Sequence, residues 1–236
     1  MSEPVRLAKR VAAIVPCSRR EAEQYIENGW VRVDGQVVEE PQFKVLEENI
    51  EIDPAASLAP VEPISILLHM PADADATLAQ QLITAATHAA DDHSGVHVLK
   101  HHFTKLTSTL PLQAGASGLL VFTQDWRVAR KLIDDAAKIE QEYIVEVSGE
   151  LVPDGLKLLN HGLKINGREL PPIKVSWQNE TRLRFAIKDA RPNQIAQMCE
   201  RVGLKVLAMK RIRIGRVPMS SLPPGQWRYL PSHERF

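Results

Sequence analysis

Three groups of residues in this 236-residue chain have types and spacings suited to chemistry. The first is the loop Leu110-Pro111-Leu112-Gln113-Ala114-Gly115-Ala116-Ser117-Gly118-Leu119, closed by two glycines and feeding the apolar run Leu120-Val121-Phe122-Thr123. It holds no acidic residue, and the amide of Gln113 is neutral and barely basic, so it supplies neither a nucleophile nor a general base. The second group is His93, His97 and His101, which recur every four residues and on a helix would line one face as metal ligands. Ser94-Gly95 and the alternation Val96-His97-Val98-Leu99 predict a turn and a strand instead, which scatters the imidazoles, and no second ligand cluster accompanies them. We therefore expect no metal and no cofactor. The third group is cationic: Arg6, Lys9, Arg10, Arg19 and Arg20 at one end, and Lys210, Arg211 and Arg213 towards the other. Such runs either stay solvated or meet phosphates.

Bulk composition narrows the choice. With 29 basic and 29 acidic residues the net charge is zero, so attraction to nucleic acid must come from local patches. Hydrophobic residues at 44% and charged residues at 25% are those of a folded globular chain, long enough for one small and one ordinary domain. Cys17 and Cys199 are read as free thiols in a reducing compartment. No apolar run approaches the roughly 18 residues of a membrane span, and the N-terminus has no signal-peptide core. The expectation is a cytoplasmic protein without a membrane partner.

The elements that position these groups follow from periodicity. Val5 to Val15 has helical spacing, with Leu7, Val11 and Ile14 on one side. Ser18 and Glu21 have capping-box spacing for a second helix that stops at Asn28-Gly29. Val31–Val33, Asp34-Gly35 and Gln36–Val38 read as a tight hairpin, with a further strand near Ile50 to Ile52. The Pro/Ala-rich stretch 54–63 reads as a linker between a domain at 1–53 and one at 64–236. In the second domain we expect a strand over Ile64 to Leu68 and an alanine-rich helix within 72–90. An amphipathic helix is expected from Asp125 to Asp135 (Val128, Leu132 and Ile133 inward), with strands at 140–147 and 182–187. The fold class is α+β: a small α+β domain, then a larger mixed, mainly antiparallel sheet with flanking helices.

Several of these stretches resemble one family. Cys17-Ser18-Arg19-Arg20-Glu21-Ala22 with Val31-x-Val33-Asp34-Gly35 is similar to the S-four-type RNA-binding domain, which implies RNA contacts from Arg6, Lys9, Arg10, Ser18, Arg19 and Arg20. The loop at 110–119 resembles the signature G-R-L-D-x-x-[ST]-x-G-L of the RsuA/RluF-type ribosomal-RNA pseudouridine synthases. Asp189-Ala190-Arg191-Pro192-Asn193-Gln194-Ile195-Ala196-Gln197-Met198 resembles their third signature, [DE]-G-x-x-[RH]-Q-[IV]-[RK]-R-M. The resemblance sets the family's catalytic aspartate on Gln113, its base-stacking tyrosine on Tyr143 and the basic partner of that aspartate on Ala196. Lys210, Arg211 and Arg213 are read as a second RNA-contacting patch.

Isomerising uridine requires an ionised carboxylate, and at Gln113 there is none. Removing one member of a buried ion pair strands the other at a cost of about 3–5 kcal/mol, whereas removing both is often neutral. Here both positions are uncharged. The leading reading is an RNA-binding, catalytically degenerate member of that family, a monomer acting on ribosomal RNA or in ribosome assembly. Alternatives are an active synthase with a rearranged site and a protein–protein adaptor using the old cleft.

Overall fold

The computed structural model describes residues 3–59, 62–72, 74 and 76–236. Pro60 and Val61 of the expected linker, and Asp73 and Asp75 of the expected alanine-rich helix, lie outside the described residues. The chain divides into two compact units, Met1–Pro63 with His97–Thr104 and Ile64–Val96 with Lys105–Phe236.

The first unit contains β1 (Val5–Arg6), α1 (Leu7–Ile14), α2 (Arg19–Glu27), β2 (Val31–Val33), β3 (Gln36–Val37), β4 (Lys44–Val45) and β5 (Ile50–Ile52). Val5 and Arg6 do not open the helix as their spacing suggests. They pair with Val45 and Lys44, and α1 begins at Leu7, whose N–H donates to the Phe43 carbonyl. The capping box forms as expected: Glu21 N–H donates to Ser18 Oγ at 3.2 Å, and Ser18 N–H to Glu21 Oε2 at 2.7 Å. Asp34 and Gly35 both have positive φ (50° and 80°), the geometry of a two-residue hairpin turn. Leu7, Val11, Ala22, Ile26, Val31 and Val45 form the core. The segment His97–Thr104, which the sequence places in the second domain, groups with this unit. Lys100 N–H donates to Glu39 Oε2 at 2.7 Å, and Leu99 Cδ2 lies 2.5 Å from where a Cβ on Gly29 would stand.

The second unit is built on β6 (Ser65–Met70), β7 (Thr107–Thr109), β8 (Ser117–Thr123), α3 (Trp126–Ile133), β9 (Glu140–Gly149), α4 (Gly155–Asn160), β10 (Lys164–Ile165), β11 (Arg168–Glu169), β12 (Lys174–Trp177), β13 (Arg182–Lys188), α5 (Gln194–Arg201), β14 (Leu204–Ile214), β15 (Val217–Pro218) and β16 (Trp227–Tyr229). One sheet runs β12-β13-β9-β14-β8-β6-β16, with β15 added to β14 and β7 to β8. All its pairings are antiparallel except β14 with β8. β6 and β8 are buried at every position, as their unbroken apolar runs require. Helix α5 packs Ile195, Met198 and Cys199 against Tyr143, Val145, Leu183 and Phe185 of the sheet. Among the described residues no helix is long and apolar enough to cross a membrane.

Two expectations fail here. The alanine-rich stretch forms short 3-10 turns, Ala76–Leu82 and Ala85–Thr87, rather than one α-helix. Thr87 explains part of this: its hydroxyl donates to the Leu82 carbonyl and accepts from Thr84 N–H, competing with the helical ladder. Ala89 N–H then donates to the Trp227 carbonyl, which ties the chain to β16. The second failure is Ile133, expected inward on α3, which is 50% exposed.

Gly118 fixes the join between β8 and β14. Its φ is +107°, and a Cβ there would lie 2.3 Å from the Arg211 carbonyl oxygen. Gly118→Ala is expected to cost about 3 kcal/mol or more in urea denaturation, combining backbone strain with a clash that cannot relax. A loss below about 1 kcal/mol would show that β14 shifts freely against the loop.

Candidate functional site: a neutral loop over a buried arginine

The loop that opens β8 is organised by a side chain from β14. Arg211 stands opposite Gly118 on one side and Tyr143 on the other, and is fully buried. Its Nε donates to the Leu119 carbonyl at 2.8 Å, Nη2 to the Leu110 carbonyl at 2.7 Å, and Nη1 to the Pro111 carbonyl at 3.2 Å. Nη1 also donates to Gln141 Oε1 at 2.8 Å, the oxygen that accepts from the Tyr143 hydroxyl at 2.9 Å. Every one of these acceptors is neutral. Desolvation pulls the guanidinium pKa below its usual value, and nearby Tyr143 partly opposes this. Leu110 has φ +44°, unusual for a leucine, and the grip on its carbonyl helps hold that conformation.

Gln113 is 6% exposed. Its Nε2 donates to the Arg191 carbonyl at 2.8 Å and the Ala190 carbonyl at 3.4 Å, in the turn that leads into α5. Exchanging amide nitrogen and oxygen would set oxygen against two carbonyls, so the orientation follows from the acceptors. Its Oε1 is buried with no hydrogen-bond partner among the described residues. Tyr143 is fully buried, and Ala196 on α5 is half-buried. The structure therefore brings Gln113 to the approach of α5, and Tyr143 to Arg211 through Gln141. Nothing in the sequence reading singled out Gln141.

Arg211, read as part of an RNA-contacting patch, is fully buried and offers no surface to RNA, while Arg213 is partly buried in ion pairs. Arg211 is spent on the loop, and Arg213 pairs with Glu140 at 2.6 Å and Glu142 at 2.7 Å. Glu142 also pairs with Arg184, and these cations hold its carboxyl down at about 2. Arg211 shares a buried face of β14 with Met209, two residues earlier, and a register shift follows between Arg211 and Arg213. The shift breaks the alternation, so that both Arg211 and Ile214 are buried. Lys210 remains exposed.

In the first unit Arg6, Lys9, Arg10, Ser18, Arg19 and Arg20 are all exposed. Arg19 pairs with Glu23 at 3.2 Å, an exposed contact of little worth, while the Ser18 hydroxyl oxygen caps α2. A hollow of about 310 Å³ in the same unit is lined by Glu27, Asn28, Glu39, Glu40, Lys100 and His101, whose acids repel phosphate. The histidine stretch forms neither a helix nor the expected strand: His93 and His97 lie in irregular chain, and His101 in a 3-10 turn. Burial and His101 push the neighbouring His102 down to about 4.

Residues 5–50 match the S4 domain model. The chain is 28% identical to ribosomal large subunit pseudouridine synthase B of Bacillus subtilis, across 97% of this chain and 93% of that protein. It is 27% identical to an uncharacterized RNA pseudouridine synthase of Aquifex aeolicus, across 98% and 94%. It is also 27% identical to the dual-specificity RNA pseudouridine synthase RluF of Escherichia coli, across 98% and 77%. The chain is homologous to the RsuA/RluF-type pseudouridine synthases. A crystal structure of a pseudouridylate synthase has the same fold, with a TM-score of 0.57 and 22% identity over 96% of each chain. In this synthase-like unit, the loop that the resemblance aligns with the family's aspartate is thus anchored by a buried cation and carries an amide.

A carboxylate at 113 would face the two carbonyls that now accept from the amide. Gln113→Glu is therefore expected to lose about 2–4 kcal/mol at pH 8 and much less near pH 4.5. The sign follows from linkage: facing carbonyls raise the folded pKa above the unfolded value of about 4.3, so the native state binds more protons and stability falls as pH rises through that window. Urea denaturation at the two pH values measures it. Equal losses would mean that a cation reaches residue 113.

Proposed function

We propose that this protein binds RNA through its N-terminal unit as a monomer in the cytoplasm, acts on ribosomal RNA or in ribosome assembly, and does not isomerise uridine. The observation that carries the second half is the amide of Gln113, donating to the Ala190 and Arg191 carbonyls where the resemblance sets the family's aspartate. An amide neither attacks a ribose carbon nor removes a proton at neutral pH. Ala196, aligned with the basic partner, offers only a methyl group. Supporting the first half are the exposed cations of α1 and α2, the S4 match and the relatives named for RNA modification. Arg19 and Arg20 open α2, where the backbone N–H groups favour a phosphate.

A second reading, an active synthase with a rearranged site, draws on Tyr143 and the buried charge of Arg211 beside it. Supplying the missing pair distinguishes the two. Gln113→Asp alone should cost stability and give no isomerisation, and adding Ala196→Arg should recover the lost stability. Isomerisation by the single variant would show the pairing argument to be wrong, whereas isomerisation by wild type would favour the second reading.

Binding is tested by titrating ribosomal RNA fragments at increasing salt. Counterion release predicts a steep linear fall of log affinity with log salt, with the slope reduced by about 1 for Arg19→Ala and again for Arg20→Ala. Slopes unchanged in both variants would place the RNA elsewhere.

A further inference from the structure

Trp126 is the most exposed large apolar side chain on the described surface, at 67%, and nothing in the site above uses it. It occupies the first position of α3, directly after the N-cap Asp125, whose carboxylate accepts from Arg127 N–H. The inner side of the helix is committed: Leu132 is fully buried and Val128 packs on the cluster of Leu67, Leu119 and Val121. On the outer side Trp126, Arg130 and Ile133 follow at i, i+4 and i+7, and Ile133 is the residue found exposed against expectation. The helix carries Arg127, Arg130 and Lys131 and no acidic residue. Arg127 is held by Asp125, while Arg130 lies 3.9 Å from Asp134 with both side chains about two-thirds exposed, an ion pair that water largely screens.

We propose that this face of α3 is a stacking platform for an unpaired nucleobase of RNA, with Trp126 as the platform and Arg130 meeting an adjoining phosphate. The inference rests on the RNA-binding reading above. Every base presents a π-face to an indole, and Arg130, at i+4 on the same face, matches the charge that accompanies each base. A second copy of the chain is a poorer occupant, because pairing α3 with itself would set Arg130 and Lys131 against their own copies. The apolar part, one indole and one isoleucine, is also far smaller than a stable dimer interface. A membrane surface is poorer still, since the apolar stripe is too short to insert.

The test uses the full chain and two probes: a single-stranded oligouridylate about twelve nucleotides long, and the same strand annealed to its complement. Trp126→Ala should weaken binding of the single strand about tenfold, leave the duplex unchanged, and reduce the quenching of tryptophan emission that the single strand causes in wild type to what the three other tryptophans contribute. Trp126→Phe should keep most of the affinity. The side chain is exposed, so thermal unfolding of both variants should match wild type. Undiminished single-strand affinity in Trp126→Ala, or quenching as large as in wild type, overturns the proposal. So does a change confined to self-association in sedimentation. If Arg19→Ala and Arg20→Ala lose affinity while Trp126→Ala does not, the RNA-binding reading stands and the platform falls. If wild type binds neither probe nor ribosomal RNA fragments, both fall together.

Discussion

A guanidinium buried from solvent keeps its charge only where its donors are met, and at Arg211 the loop of residues 110–119 does most of that work. Three backbone carbonyls of the loop and its strand, together with one side-chain amide, take its hydrogen bonds. The arrangement depends on two backbone features: Leu110 in a left-handed conformation and Gly118 close enough to β14 that no Cβ fits. The side chain of Arg211 holds the first, and its backbone lies against the second. Losing Arg211 would therefore release the loop, the strand junction and the Gln141–Tyr143 hydrogen bond at once, which is the pattern of a coupled network rather than of separate contacts.

The cation's company decides the chemistry around it. A buried charge facing neutral acceptors is stabilised by oriented dipoles, not by an opposing ion, so it has no carboxylate partner to position or activate. The loop polarity is consistent with this: Gln113 turns its amide hydrogens towards carbonyls and leaves its oxygen unmet. Charge in this unit is instead concentrated in the ion pairs of Glu140 and Glu142 with Arg184 and Arg213, which brace the sheet. The proposal that uridine is not isomerised rests on this absence of a carboxylate beside Arg211 and at Gln113.

Local signals carried much of the fold. The Ser18–Glu21 capping box, the Asp34-Gly35 turn and the apolar runs of β6 and β8 each have one physical solution, and each formed as read. What the sequence hid was non-local. Arg211 lies on the buried face of β14 with Met209, and nothing in the residues of the strand announces the register shift that then turns Arg213 off that face. Thr84 and Thr87 redirect the alanine-rich stretch through side-chain bonds that helix propensity does not include. Segment His97–Thr104 joins the N-terminal unit through Leu99 and Lys100, contacts with partners some sixty to seventy residues away that no local pattern encodes. At the site, Gln113 was legible because its chemistry depends on its own functional group, whereas Gln141 matters only through the two donors that share its oxygen.

The central claim is that a neutral loop over a buried arginine cannot start the isomerisation of uridine. Forming a carbon–carbon glycosidic bond at C5 displaces the hydrogen there, so tritium release from RNA labelled at C5 of uridine reads the reaction directly. Purified protein incubated with labelled ribosomal RNA should release no tritium above a protein-free control. Release that grows with enzyme concentration and is abolished by Arg211→Met or Tyr143→Phe would contradict the account.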